Sequence, residues 1–425
     1  MKKPALCSAA LVVATFSLLS CGGGPKVAKP PSGITNRVFA SQSVSSAVAA
    51  PGLVIIDGSV DLQARAAAIS AGSSPGLMAM SPNRTIALAF DSVSNQVNVV
   101  NTDKESLTGA IPLPGATRSM VALDTGFGYA AVPSAPFVAG PAPGALIVMN
   151  LTAGGLVSTI SVPNAQTVVA SPDGTELLVF NGSNNVTVVY PLLVNTGNTV
   201  AVTTTVAGFD TPAYAVFSAD SSTAYVMNCG PECGGTQASV QTLNLATLTP
   251  GTPLPVDGAT VGFLSGSTLY VAGNSLVNSG CTGEITAATT CGRLDVINVG
   301  SLTVTSSNVI TDGYHDRIDM SSNGQLFVGS YNCTTIGNVD NPQGEVRGCL
   351  SIYNTSNSAV VIPPDNGDVT GLQSFTSRDV EYVAEGGNLR VYDTLIDSLL
   401  LNDTIPTGTI LVRGQVIDVK AVDFF

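Results

Sequence analysis

The 425-residue chain has a single histidine, and it lies in an unusual cluster, Tyr314-His315-Asp316-Arg317-Ile318-Asp319. An imidazole next to a carboxyl and a guanidinium is a minimal set for proton transfer beside an anion-holding group. Histidine alone changes charge near neutral pH, and arginine presents a fork of donors to a carboxylate or carbonyl oxygen. The same register elsewhere in the chain holds small or apolar residues, such as Ser74-Pro75-Gly76-Leu77. Arg118, Tyr214 and Asp418 fall in or next to that register in other segments. Arg118, Tyr214, His315, Asp316, Arg317, Asp319 and Asp418 therefore form the candidate ligand site. Structural salt bridges between neighbouring units explain the same residues as simply. No GxSxG, HExxH or P-loop occurs, so no catalytic residue, cofactor or metal site is assigned.

Six further candidates are cysteines in three close pairs, Cys229/Cys233, Cys281/Cys291 and Cys333/Cys349. Six cysteines allow fifteen connectivities, and proximity favours three local bridges, each pinning one loop. Closing a loop the size of 333–349 contributes about 3 kcal/mol on the chain-entropy model, and shorter loops contribute less. Zinc is the rival reading, but Cys229-Gly-Pro-Glu-Cys233 lacks the two-residue knuckle spacing and no histidine is near. Glu232, Glu284, Asp340, Glu345 and Arg347 decorate these loops. A set of bridged loops on one rim suggests a recognition surface.

The elements that position these residues are short strands. Ser171-Pro172-Asp173-Gly174 has the Pro and Gly placement of a type I turn and leads into the apolar run Leu177–Phe180. Asn181-Gly182 and Asn184-Asn185 punctuate, and Val186–Tyr190 returns. The unit repeats. A small hydroxyl or Asp residue closes each first strand at Ser81, Asp124, Ser171, Ser218, Ser265, Ser321, Thr376 and Asp423. Successive spacings are 43, 47, 47, 47, 56, 55 and 47 residues, and the two longest contain bridged loops. Four strands per period of this length is the pattern of a β-propeller built of four-stranded antiparallel blades.

The eighth anchor leaves Val416–Val422 as a lone first strand. Val38–Ser41, Leu53–Asp57 and Ala66–Ser70 read as second, third and fourth strands with no first. Pairing the two ends closes the ring and hides an edge strand. The count is eight blades, with seven as the alternative if one irregular unit is an insertion. A β-sandwich array would break the period at linkers, and none occurs between Arg37 and Phe425.

SPDGTELLVFNGSNNVTVVY and SPNRTIALAFDSVSNQVNVVN resemble the YVTN-type β-propeller repeat of bacterial and archaeal surface proteins. The resemblance covers most of residues 37–425, although the Ser-Pro-Asp-Gly element is complete only at 171–174. It implies a surface propeller and carries no catalytic residue across.

The first residues read as an address. Lys2-Lys3 precedes the apolar run Ala9–Leu19, which is too short to span a bilayer and suits a signal peptide. Leu18-Leu19-Ser20-Cys21 looks like a bacterial lipobox, which implies cleavage before Cys21 and a diacylglycerol on its thiol. Residues 1–20 are then the leader, 21–36 a Gly- and Pro-rich tether, and 37–425 one propeller domain. The mature chain has 14 Lys and Arg against 29 Asp and Glu, a net charge of −15. Nucleic acid is excluded as a partner by this balance.

The expectation is a monomeric lipoprotein of the bacterial cell envelope, facing the periplasm or the cell surface. It would bind protein, peptide or glycan through its loop face and channel mouth. A lactonase-like propeller hydrolase and a structural envelope-layer component are the alternatives. Mass spectrometry of the membrane fraction should find a mature N-terminus at diacylglyceryl-modified Cys21. An unmodified N-terminus at another residue overturns that assignment.

Overall fold

The computed structural model describes residues 29–43, 52–66, 68–136, 142–191, 203–275, 281, 291–333, 336–337, 346–364 and 367–423. Cys21, the leader, Glu284, Asp340, Glu345 and part of the tether lie outside them. The side chain of Arg347 lies outside them too.

Eight antiparallel sheets form the blades of a closed ring, an eight-bladed β-propeller with almost no helix. The inner strands of blades 1 to 8 are Gln415–Ala421, Pro75–Met80, Ser119–Ala122, Thr167–Ala170, Pro212–Phe217, Val261–Ser265, Tyr314–Met320 and Val369–Ser374. Each packs beside the inner strand of the next blade, and the last packs beside the first.

The repeat exists because the anchor hydroxyl does local work. In blade 4 the Ser171 Oγ accepts the Glu176 N–H at 3.0 Å and donates to Asp173 Oδ1 at 2.7 Å. The Gly174 N–H closes the turn on the Ser171 carbonyl, with Gly174 at φ +69°. Ser81, Ser218 and Ser321 accept from Ile86, Thr223 and Gln325 in the same way. Where glycine is missing, Arg84 and Ser221 take the left-handed conformation instead, which costs an L residue about 1 kcal/mol.

The two ends of the chain close the ring. Gln415–Ala421 pairs with Arg37–Ser43, with Val38 opposite Ala421 and Ser41 opposite Asp418. The blade is completed by Gly52–Asp57 and a short fourth strand, Leu62–Gln63. That fourth strand begins earlier than the sequence reading at Ala66–Ser70. The turn at Asp57, held by the Ser59 N–H and hydroxyl on Asp57 Oδ1, returns the chain at once, and Ile69 adds only an isolated bridge to Leu53. Leu62 and Gln63 are exposed, so no apolar pattern marked them.

The core is divided among the gaps between blades. Phe327, Leu350 and Ile352 of blade 7 pack on Leu372, Val383 and Tyr392 of blade 8, for example. Arg37 clasps the closure. Its Nε and Nη2 donate to Asp423 at 2.9 and 2.7 Å, and its Nη1 donates to the Thr102 carbonyl at 2.5 Å. Glu105 lies 3.3 Å from the same Nη1, and both Arg37 and Glu105 side chains are about 5% exposed or less. Arg37→Ala strands two carboxylates, one of them deeply buried, and should cost about 3–5 kcal/mol in urea unfolding. A loss below about 1 kcal/mol would mean the clasp does not hold the ring.

Candidate functional site

Chain direction assigns the two ends of the channel. Inner strands begin at one end, the mouth, where the loops between second and third strands also emerge. They finish at the other, on the anchor turns. All three expected disulfides are present, Cys229–Cys233, Cys281–Cys291 and Cys333–Cys349, in consecutive blades 5, 6 and 7. Each lies between second and third strands, so all three sit at the mouth.

The mouth holds a cavity of about 460 Å³ that spans blades 3 to 7. Arg118, Tyr214, Tyr314, Asp316, Arg317 and Tyr331 line it. Arg118 is exposed and has no hydrogen bond or ion pair to any described residue. The Asp316 carboxylate meets Arg317 Nη1 at 3.0 Å, and Arg317 Nε donates to the Thr370 carbonyl of blade 8 at 2.7 Å. Asp316 Oδ1 is buried without a partner among the described residues. Burial raises the Asp316 carboxyl, against the pull of Arg317 and with a smaller push from Asp418. Tyr214 is half-buried, and burial raises its phenol. It lines the mouth cavity and both deeper cavities, so it stands where they meet.

Three sequence candidates lie elsewhere. His315 is fully buried between blades 6 and 7 and does not reach the mouth. The cause is a β-bulge between His315 and Arg317, which inserts Asp316 and turns those two side chains to opposite faces of the blade. The His315 Nε2 lies 3.0 Å from the Thr311 carbonyl, and its ring occupies space that only Gly292 leaves open. A Cβ there would sit 2.6 Å from the imidazole Cε1. Burial drives the imidazole down to about 4, so it is neutral at pH 7 and sealed from any ligand in the channel. Asp319 and Asp418 are committed to the neighbouring inner strands. The Ser374 N–H donates to Asp319 at 2.8 Å, and the Met78 N–H donates to Asp418 at 2.9 Å. Lys420 also pairs with Asp418 at 3.1 Å.

The structure adds residues that the sequence reading left out of the site. Tyr314 and Tyr331 form a tilted aromatic pair, centroids 5.3 Å apart, on the mouth wall. Glu232, inside the short Cys229–Cys233 loop, accepts the Asn274 N–H of blade 6 at 2.9 Å. Burial pushes its carboxyl up to about 7, opposed by that hydrogen bond. The five-residue bridged loop Cys229–Cys233 was the available signal for Glu232. The pairing of Tyr314 with Tyr331 lies across two strands and has no local trace.

Below Tyr214 the channel continues as a cavity of about 320 Å³ lined by Asp319, Gln373 and Lys420. A third cavity, about 750 Å³ and more apolar, opens among the anchor turns. Among the described residues, the mouth offers one uncommitted cation, Arg118, a tyrosine pair and two carboxyls that take up protons more readily than usual.

No family model matches the sequence, and no curated protein matches it. Among solved structures the chain is similar to dihydro-heme d1 dehydrogenase NirN in complex with DHE. The TM-score is 0.62 at 12% identity, covering 91% of this chain and 75% of that one. It is also similar to the Cps50 (Swd1) β-propeller domain of Myceliophteria thermophila, with a TM-score of 0.51 at 10% identity. That match covers 73% of this chain and 92% of that one. At these identities the likeness is one of fold.

The buried imidazole makes a pH prediction. Its folded value lies below the ordinary 6.5, so the unfolded chain takes up the proton first as pH falls. Stability from neutral His315 is complete above about 6.5 and is lost towards pH 4, by about 3 kcal/mol. His315→Gln keeps a donor for Thr311 and cannot titrate. Urea titrations from pH 7 to 4 should show a shallower loss for the variant by about that amount. Identical slopes would mean that His315 is in contact with water.

Proposed function

We propose that the protein is a lipid-anchored envelope propeller that works as a binding module for an acidic glycan held in the channel mouth. The observation that carries this is Arg118, exposed in the mouth cavity and without a partner among the described residues. A carboxylate on a sugar ring would take its guanidinium fork bidentately. The Tyr314–Tyr331 pair offers aromatic faces to the sugar C–H groups, and Asn164 and Gln166 supply amide donors and acceptors at the rim. The Cys229–Cys233 bridge and the Asp210 contacts to Thr236 and Gln237 hold one side of the rim in place, which lowers the ordering cost of binding there. Anchoring through Cys21 would hold this site at the envelope.

A hydrolase at the same mouth is the second reading, favoured by one observation. The Glu232 carboxyl, held near 7 by burial, could exchange a proton at neutral pH. Titration calorimetry with a uronic-acid trisaccharide and its neutral counterpart separates these readings. The acidic sugar should bind intact and the neutral one at least tenfold more weakly. Arg118→Ala should lose about 1.5–3 kcal/mol of binding with its melting temperature unchanged. Equal binding of both sugars, or of neither, overturns the proposal. Cleavage that Glu232→Gln abolishes would establish the hydrolase.

A further inference from the structure

The N-terminal segment leaves the ring from the end opposite the mouth. Ser32 donates through its backbone N–H and its hydroxyl to the Glu105 carboxylate, both at 2.6 Å. Glu105 sits in the turn between the third and fourth strands of blade 2, on the same end as the Ser81 anchor turn. Arg37 opens blade 1 at that end, and Asp423, its clasp partner, follows the last strand there. Ring closure by the two termini therefore fixes where the tether departs. Ten residues separate Ser32 from Cys21, and the eleven steps between the two can span at most about 40 Å.

The same end carries the apolar cavity of about 750 Å³. Met80, Met120, Val121, Val169, Val216 and Phe217 form its wall. Asp124 and Asp173 stand on its rim, and no Lys or Arg is among its described lining residues. The two ends of the channel are thus chemically unlike. One is polar with a guanidinium that has no partner among the described residues, and the other is apolar with Asp124 and Asp173 at its edge.

We propose that the anchor-turn face is the side that meets the bilayer, its apolar bowl docking a zwitterionic phospholipid, while the mouth opens away from the membrane. This rests on the reading of Cys21 as acylated. The tether delivers lipid to this face, and the bowl offers apolar surface where an acyl chain can leave water. Asp124 and Asp173 at the edge of the bowl match an ammonium headgroup and repel an anionic one. Docking would add to an anchor that already holds the chain, so the second contact forms at high effective concentration. The mouth is left facing the aqueous side, where a glycan can reach Arg118.

The chain contains no tryptophan, so one introduced indole reports its own surroundings. Phe217→Trp, with Met80→Trp as a second probe, marks the bowl, and Tyr331→Trp marks the mouth. Each is made in the lipidated full chain and in Cys21→Ser, and folding is checked by its melting transition. Vesicles are phosphatidylcholine and phosphatidylethanolamine with bromine-labelled acyl chains. Bowl indoles should be quenched by half or more in the lipidated chain and the mouth indole by less than a tenth. Replacing half of the lipid with phosphatidylglycerol should weaken that quenching. Co-sedimentation with vesicles and equal quenching at both ends overturns the orientation. Co-sedimentation with no quenching at either end overturns the docking. Failure of the full chain to co-sediment, with Cys21 unmodified, defeats the lipoprotein reading itself.

Discussion

Every inner strand has one backbone edge that its own blade cannot satisfy. It pairs with the second strand on one side, and on the other it faces the next inner strand across a gap too wide for a ladder. Unpaired backbone groups there would be costly, so side chains cross the gap. Ser119 Oγ accepts the Val168 N–H at 3.0 Å and donates to the Val168 carbonyl at 3.1 Å. Thr260 donates to the His315 carbonyl at 2.7 Å, and Gln373 accepts the Ala421 N–H at 2.8 Å. Asp319, Arg317 and Asp418 do the same for Ser374, Thr370 and Met78. These side chains tie neighbouring inner strands together near the axis, and apolar clusters fill the gaps between blades further out.

That constraint decides which polar residues a ligand can use. The inner-strand carboxylates Asp319 and Asp418 are taken up by the neighbouring blades. Arg317 is spent twice, on the Asp316 carboxylate and on the Thr370 carbonyl. What remains for recognition lies at strand starts or in loops. Arg118 precedes its inner strand, Tyr331 ends a second strand, and Glu232 rides a bridged loop. The functional surface is the remainder after the ring has been closed.

This is also why the fold was legible in the sequence and the site only partly so. The anchor serine has a local role, accepting the N–H that opens the next strand, so it recurs at a countable spacing. Ring closure followed from counting first strands against remainders, and the bridges from proximity. The channel was harder because five inner strands begin with or contain an irregularity against their second strand. A bulge shifts side-chain parity by one residue, so His315 turned inward and Arg317 turned to the opposite face. A reading by register alone places both at the axis. Cross-blade bonds such as Asp418 to Met78 join residues 340 apart in sequence, and no local pattern encodes them.

The three disulfides differ in what they can contribute. On the chain-entropy model the loop 333–349 contributes about 3 kcal/mol, while the five-residue loop 229–233 contributes about 2 kcal/mol. The short bridge is the weakest of the three as a brace against unfolding, yet it bears most directly on the mouth. Cys233 lines the cavity, Asp210 accepts the N–H groups of Thr236 and Gln237 just beyond it, and Glu232 reaches Asn274 in the next blade. Without the bridge, a Gly- and Pro-rich turn would have to hold a half-buried carboxylate against its own hydration. The bridge fixes the position of Glu232, and with it the side of the mouth formed by blades 5 and 6.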